Sequence, residues 1–263
     1  MSKIFFKSMV GTFILALMVI SASYTPAYAA TAPQATLIAS GHPEWAPVMW
    51  RQGNQIVGVG ADLVRIMCND LGISCETRAV GMWDVVQDGA RAGKIDLLVG
   101  AYKTDARQKY LDYSIAYASD PVVLFVRKGS TLNYSGWSDL VGKKGVVTLG
   151  DSYGSAFDEY IKANLKVTAV GSAQDAFAQL INGNCDYFIY AQYSGKAELR
   201  RLHLTDTITM LDKPVSEEKF YIAFSKVSPF AKYLPQFNKL IEKYLNDGTI
   251  DMLFKVNNKL AGI

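Results

Sequence analysis

Gly93-Lys-Ile-Asp-Leu-Leu-Val99 and Gly183-Asn-Cys-Asp-Tyr-Phe-Ile189 share one pattern, a Gly-x-x-Asp followed by three apolar residues, about 90 positions apart. Each copy follows a stretch with apolar residues at helical spacing, 82–92 before the first and 172–181 before the second. Glycine ends a helix because it reaches a left-handed backbone without a Cβ clash. A short apolar run after such a stop reads as a strand buried on both faces. The pair therefore predicts helix, turn and buried strand twice, one unit in each of two similar lobes.

Outward from these units the same alternation continues. Residues 36–39 predict a short strand, 61–71 a helix and 121–127 another strand. A second series begins at 145–148 (strand), 154–164 (helix) and 166–170 (strand), and two helices, 229–246 and 249–258, close the chain. Strands alternating with helices predict an α/β fold with mainly parallel sheets. In open parallel sheets a ligand sits beyond the carboxyl ends of the strands. That rule directs attention to segments 100–107, 150–155 and 190–193.

The N-terminus predicts export. Lys3 and Lys7 precede an apolar run over 9–20, and Ala27-Tyr28-Ala29 offers a small-residue cleavage site. This is the pattern of a secretory signal removed after about Ala29. A spanning helix needs about 20 apolar residues, and Ser21, Ser23 and Pro26 interrupt this run. The chain carries 27 basic and 24 acidic side chains. So even a balance argues against a nucleic-acid surface, which needs a clustered positive excess. Of the three cysteines, Cys68 and Cys75 lie seven apart across Leu71-Gly72, where a helix end and the next strand approach. In an oxidising compartment that spacing predicts a Cys68–Cys75 disulfide. Cys185, in the second apolar run, reads as a buried free thiol. Asp62 reads as a structural residue that caps or orients a helix start.

Further stretches carry a resemblance. They are His42-Pro-Glu-Trp-Ala-Pro47, Ile56-Val-Gly-Val-Gly-Ala-Asp-Leu63, Gly100-Ala-Tyr-Lys-Thr-Asp-Ala-Arg107 and Leu111-Asp-Tyr-Ser114, then Asp139-Leu-Val-Gly-Lys143 and Leu245-Asn-Asp-Gly-Thr249. In this order and spacing, from about Leu37 to Leu260, the chain resembles the periplasmic solute-binding proteins of polar amino-acid ABC transporters, the bacterial extracellular solute-binding proteins of family 3. The Cys68/Cys75 spacing is similar to that of the family's histidine- and lysine/arginine/ornithine-binding members. The resemblance implies the type II periplasmic binding protein fold, two lobes joined by two crossing strands that act as a hinge. Residues 30–126 with 216–263 would form the first lobe and 127–215 the second, with crossings near 125–128 and 213–219. It also implies a receptor that closes on a small carboxylate-bearing solute, an amino acid or a related compound. The partner would be the membrane permease subunits of an ABC importer, with a monomer as the default state and no cofactor.

The matching positions imply a binding set. Arg107 stands where family members hold the ligand's carboxylate, and a guanidinium fork grips a carboxylate bidentately. Thr104 and the backbone near Gly100 and Tyr102 would donate to the same group; many relatives carry a small hydroxyl residue where this chain has Tyr102. Trp45 matches the aromatic that stacks on the ligand. In the second lobe Gly150-Asp-Ser-Tyr-Gly154 leads into a helix whose free N–H groups, with the Ser152 hydroxyl, would face an anionic part of the solute. Tyr153 and Tyr190 would add walls.

Two departures stand out. Ala191 occupies the place of the aspartate that usually holds an ammonium, and His42 stands where an acid is common. Glu44 and Asp151 are the nearby acids able to compensate. Two other classes remain open. One is a dehydratase-like enzyme on this fold, with Glu44 or Asp151 as the acid. The other is a ligand-poor sensor that docks on a partner protein. His42 and His203 are the only histidines, too few to suggest a metal site or a catalytic triad.

Overall fold

The computed structural model describes residues 35–262. The expected signal segment and its cleavage site lie outside them. In chain order the elements are β1 (Leu37–Ser40), β2 (Glu44–Trp45), β3 (Met49–Gln52), β4 (Gln55–Val57), α1 (Val59–Asp70), β5 (Cys75–Thr77), α2 (Trp83–Arg91), β6 (Leu97–Tyr102), α3 (Asp105–Gln108) and β7 (Leu111–Arg127). There follow β8 (Lys144–Thr148), α4 (Ser155–Asn164), β9 (Lys166–Val170), α5 (Ala173–Ile181), β10 (Tyr187–Ala191), α6 (Gln192–Arg201), β11 (Ile208–Met210), β12 (Ser216–Ser225), α7 (Leu234–Asn246) and α8 (Thr249–Leu260).

The two repeated units fold alike down to single hydrogen bonds. After α2, Gly93 takes φ 71° and donates to Ala90 O, while Lys94 N donates to Gly89 O. After α5, Gly183 takes φ 74° and donates to Leu180 O, while Asn184 N donates to Gln179 O. This is the same Schellman stop twice, and glycine is there because the turn needs a left-handed residue. The aspartate then sets the strand beside its neighbour. Asp96 accepts Ile38 N at 2.8 Å and its own N–H donates to Ile38 O at 2.8 Å. Asp186 accepts Lys144 N at 2.8 Å and donates to Lys144 O at 2.7 Å. Beyond those clamps β6 runs parallel to β1, and β10 parallel to β8.

The main sheet is mixed, in the order β5-β1-β6-β12-β7-β10-β8-β9 with β11 also on β7, and β2, β3 and β4 form a separate three-stranded sheet. Both ends are parallel, as the alternation predicts, and the centre is an antiparallel ribbon of β7 and β12. The expected strand over 121–127 is thus only the second half of a 17-residue strand. Its first half is buried at every third position, Leu111, Ser114, Tyr117 and Asp120. Register shifts against β12 around Tyr221 break the alternation of two that a regular strand shows. Along the ribbon β7 leaves β12 and takes up β10 at Val122.

Helices cover the sheet through their apolar stripes. From α2, Val86 and Ala90 pack with Leu98, and from α5, Phe177 meets Phe125 and Phe188 at ring centroids 5.6 and 5.0 Å apart. Each such buried aromatic contributes about 1.5–3 kcal/mol relative to exposure. Asp62 does not cap α1, whose start at Gly58 has no side-chain cap. Its carboxylate instead binds Arg65 and Asn257 of α8, tying the first helix to the last.

The expected Cys68–Cys75 bridge is not confirmed by the structure. Cys68 in the last turn of α1 and Cys75 at the start of β5 lie side by side as unbridged thiols, and the buried Cys185 is likewise unbridged. The turn between them closes on a backbone bond from Ile73 N to Cys68 O at 2.8 Å. No helix among the described residues is long and apolar enough to cross a membrane.

Candidate functional site

The carboxyl ends of β6, β8 and β10 converge on a small, nearly filled cleft. Its walls are His42, Trp45, Trp83, Ala101, Tyr102, Arg107, Asp151, Ser152, Tyr153, Tyr190 and Ala191. Of the residues expected to bind, Gly100, Thr104 and Glu44 lie outside this wall. Gly100 is a packing position: a Cβ there would stand 2.2 Å from Met49 Cε and 2.9 Å from Tyr117 Oη. Thr104 caps α3, its hydroxyl accepting Arg107 N at 3.2 Å.

Arg107 is 5% exposed. Its Nε donates to Gln87 Oε1 at 3.1 Å, Nη1 to Tyr102 O at 3.3 Å and Nη2 to Gly150 O at 3.2 Å, and its Cζ lies 5.2 Å from the centre of the Trp83 ring. Among the described residues no carboxylate lies within ion-pair distance of it. A guanidinium removed from water without a counter-ion is costly, and a carboxylate entering the cleft would relieve that cost.

On the opposite wall the loop 150–154 is fixed from inside the protein. Asp158 of α4 accepts Tyr153 N at 2.8 Å and also binds the Ser152 hydroxyl, and burial raises its carboxyl above the usual range. Gly154 is pressed against Glu218, where a Cβ would come within 2.1 Å of Oε1. Asp151 turns back toward β1: its Oδ1 meets His42 Nε2 at 3.1 Å, and its Oδ2 binds the Thr148 hydroxyl. Glu44 behaves differently. Its carboxylate accepts Ala173 N at 2.9 Å at the start of α5, its carbonyl accepts Tyr190 Oη at 2.7 Å, and burial raises its pKa. Tyr102, 6% exposed, keeps a hydroxyl with no hydrogen-bond partner among the described residues, and burial holds it un-ionised.

Sequence reasoning passed over three residues here. Trp83 and Gln87 are one turn apart on the buried face of α2, and a glutamine among apolar positions was the available signal. Asp120, fully buried on β7, carried less, being one acid before Pro121. It accepts Trp45 Nε1 at 3.2 Å and Tyr193 N at 3.4 Å, so it serves the N-terminus of α6, where Ala191 offers no side-chain cap. Burial outweighs both bonds and lifts its pKa to about 7.

Comparison with known proteins agrees with this architecture. The family model of bacterial extracellular solute-binding proteins, family 3, matches residues 37–257. An L-arginine-binding protein of Pseudomonas aeruginosa is 26% identical over 177 residues, a match that spans 66% of this chain and 66% of that relative. A substrate-binding protein of an amino acid ABC transporter from Streptococcus pneumoniae, solved bound to L-arginine, superposes with a TM-score of 0.72 at 24% identity, covering 86% of this chain and 95% of that one. That likeness is one of fold. An ancestral arginine-binding protein solved bound to glutamine gives a TM-score of 0.70 at 25% identity, over 84% of this chain and 96% of its own.

Proposed function

The chain belongs to the bacterial extracellular solute-binding proteins, family 3, and on that premise we propose that it captures a small carboxylate-bearing solute, an amino acid or a related compound, for an ABC importer. The observation that carries the reading is Arg107, buried in the cleft wall without a counter-ion among the described residues. The relatives whose names specify an arginine or a glutamine bring amino acids forward as the class to try first.

In this reading residues 30–126 with 216–263 form one lobe and 127–215 the other, and the β7–β12 ribbon is the hinge. Bonds across the cleft, from Arg107 and Gln87 to Gly150 O and from Tyr190 to Glu44 O, belong to the closed form. Solute shifts the lobes toward closure only as far as it binds the closed form better, and the permease subunits of the importer read that form. Export to the periplasm, with a leader removed after about Ala29, supplies the compartment. Binding is favoured over a dehydratase-like reaction because Glu44, the acid whose pKa burial raises, lies outside the cleft wall, and Asp151 inside it is held by partners of its own. Asp151 is engaged by His42 and Thr148, and Glu44 is spent on the start of α5.

The test is a thermal-shift and calorimetric screen of mature protein refolded to remove carried-over ligand, against amino acids and organic acids. A true ligand at a hundredfold excess over its Kd stabilises by about 2.7 kcal/mol and is recovered chemically unchanged. Conversion of the ligand would establish an enzyme instead, and no shift with any carboxylate would overturn the capture reading.

A further inference from the structure

The cleft wall holds few charges. Arg107 and Asp151 are its ionisable cation and carboxylate, with His42 beside them. The hydrogen bonds settle the histidine. Glu44 N donates to His42 Nδ1 at 3.0 Å, so that nitrogen presents a lone pair, and the ring proton sits on Nε2, aimed at Asp151 Oδ1. Asp151 accepts one bond on each oxygen, from His42 and from Thr148, and a carboxylate has about four lone-pair sites.

Opposite charges therefore face one cleft without joining. Arg107 Nη2 reaches the carbonyl of Gly150, one residue before Asp151, yet the guanidinium and the carboxylate stay outside ion-pair distance of each other. A small molecule with a carboxylate and an ammonium on one carbon matches that arrangement. The competing acids are otherwise committed. Glu44 lies outside the wall with its carboxylate on Ala173 N, Asp120 is sealed under Trp45 and the start of α6, and position 191 carries a methyl group.

We propose that Asp151, oriented by His42 and Thr148, holds the α-ammonium of an amino acid whose side chain is uncharged, while Arg107 holds its carboxylate. The inference rests on the capture reading above and narrows it. With both charges used, the remaining wall is Trp45, Trp83, Tyr102, Tyr153, Tyr190 and Ala191. A cationic or anionic side chain would be desolvated there without a partner. The unpartnered Tyr102 hydroxyl suits a neutral hydrogen-bonding group.

The experiment is calorimetry with matched pairs that differ only in the ammonium: alanine and propanoate, leucine and 4-methylpentanoate, phenylalanine and 3-phenylpropanoate, glutamine and 4-carbamoylbutanoate. Arginine and glutamate are run beside them. Wild type should bind its best neutral amino acid about a hundredfold tighter than the des-amino partner and at least about tenfold tighter than arginine or glutamate. Asp151→Asn should reduce the first ratio to less than about fivefold, and Glu44→Gln should leave it intact. The wild-type ratios need no variant, so a misfolded mutant cannot rescue the proposal. A des-amino acid bound as tightly as its partner, arginine or glutamate as the best ligand, or an unchanged ratio in Asp151→Asn would each overturn it while solute capture stands. Failure of every probe to bind would remove both readings together.

Discussion

The unit ending in β6 and the unit ending in β10 share a helix stop, an aspartate clamp and a parallel neighbour, yet they deliver different chemistry. The first chain exit, beyond Tyr102, turns into α3 and places Arg107 in the cleft. The second passes directly from β10 into α6 and contributes only the methyl group of Ala191 and the ring of Tyr190. The charge on that side comes instead from the exit of β8, where Asp151 sits. A shared scaffold fixes where exits point, whereas the residues placed on each exit decide what it can bind.

The largest effect should follow from removing the charge at the first exit. Arg107→Ala should weaken binding of whichever ligand the screen identifies by about a hundredfold or more, the 2–5 kcal/mol typical of losing one partner of a buried charge pair. Ala191→Ser at the matching second exit should change it by less than about fivefold. Calorimetry on both variants checks the pair, and similar losses at the two exits would erase the asymmetry.

Between the two units stands Asp120, and it makes the molecule sensitive to pH. Its proton stays on in the fold up to about pH 7, whereas an unfolded aspartate releases it near 3.8. The folded state thus binds more protons in that window, so this contribution is full below about pH 4 and is lost as pH rises through 7. One proton held across that window is worth about 1.4 kcal/mol for each pH step of one, giving a ceiling of about 4 kcal/mol. Glu44, Asp158 and Glu218, also raised by burial, act in the same direction. Urea unfolding at pH 5 and pH 8 should show the loss, and Asp120→Asn, which does not titrate and whose single oxygen can keep one of the two bonds from Trp45 and Tyr193, should flatten much of it. A slope unchanged in that variant would place the dependence elsewhere.

A smaller effect tests the clamps themselves. Asp96 is buried and accepts from Ser228 Oγ as well as Ile38 N, while Asp186 is half-buried and clamps only Lys144 N. Asp96→Ala should cost about 2–3 kcal/mol and Asp186→Ala about 1 kcal/mol, because an orphaned donor is expensive only where water cannot reach it. Equal costs in urea titrations would mean that the two clamps are energetically equivalent despite their burial.

Legibility followed the range of the interactions. Helix stops, the buried strands 97–102 and 187–191 and the parallel ends of the sheet rest on glycine, spacing and apolar runs within about ten residues. The first half of β7 and all of β2, β3 and β4 do not. Bulges gave β7 a period of three, and the small strands owe their pairing to one another.

What the sequence determined by itself is the alternation of elements, the repeated unit and the exits on which the site had to lie, because turn chemistry and hydrophobic period are local. Only the tertiary structure decided which acid faces the cleft. Glu44 and Asp151 look equivalent in the chain, but the N-terminus of α5 claims one and His42, 109 positions away, aims the other. Burial and long-range hydrogen bonds set those roles, and neither is written in the spacing of neighbouring residues.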